Sequence, residues 1–131
     1  MEGTDISRNV VYQNFPHNSE YEIGSFLGCL HEESVWNEEE YWKLEGAIYQ
    51  LFNEEVKNTI ARDIAWPLFR IYSHAMLLLQ SHYDKNDQYF IMNLDEVEVQ
   101  DYRERIQQVF EGFFQNKMPK IQDFEKRNPL F

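Results

Sequence analysis

His31-Glu32 opens like the zinc-protease pattern HExxH, but Val35 stands where the second histidine belongs. That pattern works because two histidines four residues apart share one helical face and hold one zinc. Here the second ligand is missing. Cys29 lies two residues before His31, and a thiol becomes a nucleophile only with a base beside it. Between Gly28 and Leu30 it reads instead as a small buried apolar residue. Asp84, Asn86 and Asp87 alternate like the start of a calcium loop, without the glycine at the sixth position or the glutamate at the twelfth, and so read as a polar turn. His74 and His82 read as a satisfied core histidine and a helix-end cation, and His17 has no evident partner. There is no Gly-rich phosphate loop, no G-x-S-x-G and no CxxC. No catalytic residue, metal or cofactor is assigned, and the chain is read as non-enzymatic.

The chemistry that remains is acidic. Residues His31 to Glu55 hold eight carboxylates against one lysine, interleaved with Trp36, Tyr41, Trp42 and Tyr49. Exposed helices usually balance their charges, because like charges repel. Carboxylates beside tryptophan and tyrosine suit a surface that holds a basic protein, the aromatics as anchors and the acids as partners for lysine and arginine.

The charge of the whole chain agrees. Formal net charge is −11, and residues 1–58 carry twelve acids against three bases. Such a field repels phosphate backbones, so direct nucleic-acid binding is disfavoured, and it speeds encounter with a basic partner. Hydrophobic residues at 43% and aromatics at 16% of 131 residues are enough for one core-bearing domain over 1–131, with 1–22 and 120–131 as less regular ends. A single cysteine cannot close an internal disulfide, the polar MEGTDISRN lacks signal-peptide features, and the longest apolar run is Ala75–Leu79. The expectation is a cytoplasmic protein with no membrane span.

These side chains must be positioned by helices. Residues 1–22 read as irregular, with Val10, Val11 and Tyr12 as a short extended piece. Ser25 caps a short helix whose Phe26, Leu27 and Leu30 face inward. Asn37 caps a longer one, with Glu38, Glu39 and Glu40 in its first turn, where the helix dipole favours anions. Its core stripe is Tyr41, Leu44, Ile48, Leu51 and Phe52. Asn53 then reads as the cap of a third helix carrying Glu54, Glu55, Val56, Ile60 and Ile64, kinked or restarted at Pro67. Leu68 to about His82 is apolar nearly all round and is expected at the centre of the core. After a polar turn, a last helix from Asp95 or Glu96 to Gln115 carries Tyr102, Ile106, Val109, Phe110 and Phe113, ending at Asn116 and Pro119. Gly46 and Gly112 mark a close helix approach or a dent in the surface. Arg103 and Arg105 look like surface charge pairing. The tail 120–131 docks loosely or frays. The fold class is mainly α, a compact single-domain bundle of four or five helices with a short irregular or extended N-terminal segment.

At 100° per residue, Glu38, Trp42, Glu45 and Tyr49 line one flank beside the core stripe, and Glu39 points away from it. Either this flank is free to bind, or another helix or the N-terminal segment covers it. The candidate partner-binding residues are Glu32, Glu33, Trp36, Glu38, Glu39, Trp42, Glu45 and Tyr49.

Three stretches, GSFLGCLHEESVWNEEEYWKLEGAI (Gly24–Ile48), IAWPLFRIYSHAMLLLQSHYD (Ile64–Asp84) and DYRERIQQVFEGFFQN (Asp101–Asn116), resemble a family of small bacterial immunity proteins, number forty-one in the polymorphic-toxin classification. Members are associated with contact-dependent growth inhibition and related toxin loci. The resemblance implies a cytoplasmic helical protein that binds the C-terminal domain of one cognate toxin and blocks it. Such toxins are often nucleases with basic clefts, which a strongly acidic inhibitor can occupy. The competing readings are a general acidic adaptor or DNA mimic that binds basic nucleic-acid-binding proteins and, third, a small hydrolase or metal enzyme without a recognised motif. Oligomeric state stays open.

Overall fold

The computed structural model describes residues 2–54 and 59–131. Among the described residues, five α-helices follow one another: α1 Glu2–Gln13, α2 Phe26–Glu33, α3 Glu38–Glu54, α4 Arg62–Tyr83 and α5 Glu96–Gln115, before a 3₁₀ turn at Ile121–Asp123. The mainly α class is as expected. The helix at Glu2–Gln13 is not: Val10, Val11 and Tyr12 lie in α1 rather than in an extended piece, and the irregular segment is confined to residues 14–25.

The caps explain most boundaries. The Ser25 hydroxyl accepts the Gly28 N–H at 3.1 Å, and Asn37 Oδ1 accepts the Glu40 N–H at 3.1 Å. Asp95 and Glu98 form a reciprocal capping box at the start of α5. That helix ends on Asn116, in the left-handed region at φ 66, and a Cβ at Gly112 would sit 2.8 Å from Pro119 Cδ, so the chain can turn back only over a glycine. A Cβ at Gly46 would meet nothing within 4 Å. Asn53 lies inside α3 rather than capping a new helix. Glu55 and Val56, assigned from sequence to that helix, fall outside the described residues.

The helices form a ring. α1 packs on α3, α3 on α5, α5 on α4 and α4 on α1, and short α2 packs against both α3 and α4. Ile64, Leu68, Ile71, Ala75, Leu78 and Leu79 of α4 point into this ring, with the stripes of α3 and α5 opposite. α4 runs through Pro67 without interruption, where a kink or restart was expected. Proline leaves the Asp63 carbonyl without its helical donor, and the Tyr12 hydroxyl of α1 donates to that oxygen at 3.2 Å. α4 is also not enclosed as its composition suggested. Trp66, Phe69 and Leu77 on its outer face are 53, 55 and 60% exposed.

Candidate partner-binding site

The flank Glu38–Trp42–Glu45–Tyr49 is packed, covered by α5 and the C-terminal tail. Glu45 is 1% exposed and Arg105, from α5, 6%. Arg105 Nε and Nη2 donate to the two Glu45 carboxylate oxygens at 2.7 Å each, the bidentate geometry that suits a guanidinium best. The guanidinium lies between the rings of Trp42, at 4.7 Å, and Phe124, at 4.1 Å, and also donates to the Lys126 carbonyl. Arg105 is thus a core residue rather than a surface pair. The hydroxyl of Tyr41 donates to Glu45 at 2.8 Å, and Asn128 Nδ2 donates to the Trp42 carbonyl at 3.0 Å. Burial opposes the charge on Arg105, but the hydrogen bonds and charge of Glu45 outweigh it and raise its pKa. Burial, then the Glu45 charge, raises the Tyr41 phenol well above its usual range.

The other flank residues hold the tail as well. Tyr49 donates to the Pro119 carbonyl at 2.7 Å and meets the Phe131 ring edge-on; burial, then the Glu45 charge, pushes its pKa up to about 12. Glu38, part exposed, accepts from Tyr102 at 2.6 Å and pairs with Lys126. Burial works against ionised Glu38, yet the hydrogen bonds from Lys126 and Tyr102 hold its pKa below the ordinary carboxylate value. The tail is therefore docked by specific polar contacts. Trp36 is also interior: its ring stacks among Phe26, Tyr41 and Tyr102, and Asn93 exchanges two 2.8 Å hydrogen bonds with its backbone. Of the eight sequence candidates, then, Trp36, Trp42, Glu45 and Tyr49 are buried, while Glu32, Glu33 and Glu39 are exposed and Glu38 partly so.

The exposed acids, with part-exposed Glu40, come from three elements. Glu22 precedes α2, Glu32 and Glu33 end it, and Glu39 and Glu40 begin α3. Lys43 reports the proximity of three of them: its hydrogen bond to Glu40 at 2.7 Å, then the charges of Glu40, Glu39 and Glu22, raise its pKa. The Cys29 thiol beneath this face is raised by burial, with Glu33 and Glu40 adding to it, which works against a thiolate. Its neighbour in sequence, His31, is paired elsewhere, its Nδ1 lying 3.1 Å from His74 Nε2. Burial, then the facing His31, lowers His74 to about 4. The satisfied buried histidine is His82, whose Nδ1 accepts the Ile91 N–H at 3.1 Å while Nε2 faces Glu96 at 3.1 Å. Asp84 and Asp87 accept backbone N–H groups two residues on, at 2.9 Å each, closing the turn after α4.

This arrangement offers carboxylates to a cation-bearing partner, and among the described residues the thiol meets the Gly24 carbonyl and the Asn37 amide rather than a base. A family model, described as immunity protein 41, matches residues 13–125. The chain belongs to that family. It is therefore an immunity protein, and the matched span runs from the end of α1 through the part of the tail that reaches Phe124. No curated protein and no solved structure matches it. No helix among the described residues is long and apolar enough to cross a membrane.

Sequence reasoning missed Arg105 and the outer face of α4. Arg105 did carry a signal: it lies three residues after Tyr102 and one before Ile106, on the stripe that faces the core.

Proposed function

We propose that this immunity protein binds the C-terminal domain of the toxin encoded with it in the cytoplasm and blocks that domain without catalysis. The toxin is a nuclease with a basic cleft, and Glu22, Glu32, Glu33 and Glu39 face the lysines and arginines of that cleft, with Glu38 at the margin. The observation that carries this reading is the exposure of Glu32, Glu33 and Glu39 beside a cluster in which Glu22, Glu39 and Glu40 surround Lys43. A solvated acidic face occupies a phosphate groove without a matching sequence, by charge and shape. Trp36, Trp42, Glu45 and Tyr49 act from beneath, by fixing the start of α3 and the tail. Co-expression with the toxin domain encoded immediately upstream is the test. Wild type restores growth, and the triple reversal Glu32→Lys, Glu33→Lys, Glu39→Lys restores it poorly while folding normally. Salt-sensitive binding to many unrelated basic proteins, with no preference for that toxin, would point instead to a general acidic adaptor.

A further inference from the structure

The tryptophans expected to anchor the partner are buried, yet a different tryptophan is not. Trp66, Phe69 and Leu77 share the outer face of α4, each more than half exposed. Trp66 and Leu77 lie eleven residues apart, a ridge of roughly 16 Å at 1.5 Å per residue. Nothing in the fold requires it, since the opposite face of α4 supplies the core. The ridge is also braced. Buried Phe15 meets Trp66 edge-on at 6.2 Å, Phe69 stacks on Trp66 at 6.4 Å and 28°, and Arg70 Nε donates to His17 at 3.3 Å. Rings already held in place lose little freedom on binding, and tryptophan and arginine are the commonest energetic anchors of interfaces.

Position decides the occupant. His74, one turn before Leu77 on the helix, meets His31, and His31 lies 3.8 Å from Glu32, so the Leu77 end of the ridge adjoins the acidic residues through one pair of rings. A partner spanning both must present lysine or arginine next to an apolar patch. A second copy of this chain is the wrong complement, because a net charge of −11 on each copy would be brought together there.

From this juxtaposition we infer that the Trp66–Phe69 ridge of α4 is the apolar anchor of the toxin interface, seated on the rim of the basic cleft whose cations face Glu32 and Glu33. The inference rests on the immunity reading above. The two are separable by measuring binding of the full chain to the upstream-encoded toxin domain, first as wild type. No wild-type binding removes both. If wild type binds, Trp66→Ala with Phe69→Ala weakens binding by at least about 30-fold, the factor for one anchor worth 2 kcal/mol, with the circular dichroism spectrum unchanged. Affinity within threefold of wild type overturns the ridge and leaves the immunity reading standing. Should the double variant misfold, Phe69→Gln decides, because Phe69 is exposed: about tenfold weaker binding supports the ridge, and unchanged affinity overturns it. Sedimentation covers the remaining occupant. A wild-type dimer that the double variant abolishes, with toxin affinity unchanged, assigns the ridge to a second copy and overturns the inference.

Discussion

Replacing Arg105 with methionine should be among the most damaging single changes in this protein, although the residue lies in a run of surface-like charges. The substitution keeps most of the apolar stem and removes the guanidinium. It leaves the Glu45 carboxylate, 1% exposed, with only Tyr41 and Asn128 as partners. Breaking a buried pair from one side costs about 3–5 kcal/mol, because the remaining charge is neither solvated nor compensated. Loss of the contacts with Trp42 and Phe124 adds about 0.5–1 kcal/mol each. Against a total stability of about 5–15 kcal/mol, a combined loss of about 4–7 kcal/mol is a large fraction. With a urea slope of about 2 kcal/mol/M the unfolding midpoint should fall by at least about 2 M. The double variant Arg105→Met, Glu45→Gln keeps an acceptor for Tyr41 and removes the orphaned charge. It should therefore be more stable than the sum of the two single losses by about 2 kcal/mol. Urea unfolding followed by circular dichroism measures all four corners of this cycle. If Arg105→Met costs less than 1 kcal/mol, or the two losses simply add, the buried pair is not what fastens the tail to α3 and α5.

Gly46→Ala should stabilise the chain by about 0.5–1 kcal/mol, since the added methyl meets nothing and helix propensity improves, whereas Gly112→Ala should destabilise it because its Cβ would strike Pro119; thermal melting of both variants checks the contrast. Tyr12→Phe should cost about 1 kcal/mol in urea unfolding by leaving the Asp63 carbonyl below Pro67 without a donor. His74, lowered to about 4 by burial and by His31, refuses a proton that the unfolded chain accepts near 6.5. Stability should therefore be full above pH 6.5 and fall as pH drops toward 4. From pH 7 to 5 the loss from this group is about 1 kcal/mol after allowance for solvent screening, and His74→Gln should flatten that part of the melting profile.

Most of the helical frame is legible locally. Ser25, Asn37 and Asp95 announce their helices by capping, and the stripes on α3 and α5 have the period of their buried faces. α1 is less legible because Val10, Val11 and Tyr12 favour strands in isolation, and only packing against α3 makes them helical. The exposure of the candidate residues was legible only in part. Glu32, Glu33 and Glu39 are exposed as a carboxylate-rich surface requires, but Glu45 and Trp42 are buried by Arg105, sixty residues away, and by Asn128 beyond it. No local pattern encodes that contact. The outer face of α4 misled for the opposite reason: composition alone cannot separate a helix enclosed by protein from one that turns apolar residues outward.

The central claim is that the exposed carboxylates around α2 and the start of α3 bind the toxin. Its most direct measurement is the dissociation constant of the complex with the upstream-encoded toxin domain for two charge reversals, one of three carboxylates and one of two. Reversal of Glu32, Glu33 and Glu39 to lysine should weaken binding by roughly 10- to 150-fold, since three rim charges near 0.5–1 kcal/mol each add to about 1.5–3 kcal/mol, and should reduce its salt dependence. Reversal of Asp123 and Glu125 in the tail should leave affinity within about threefold, a loss below 1 kcal/mol. Equal effects from the two sets, or none from the first, would contradict the account.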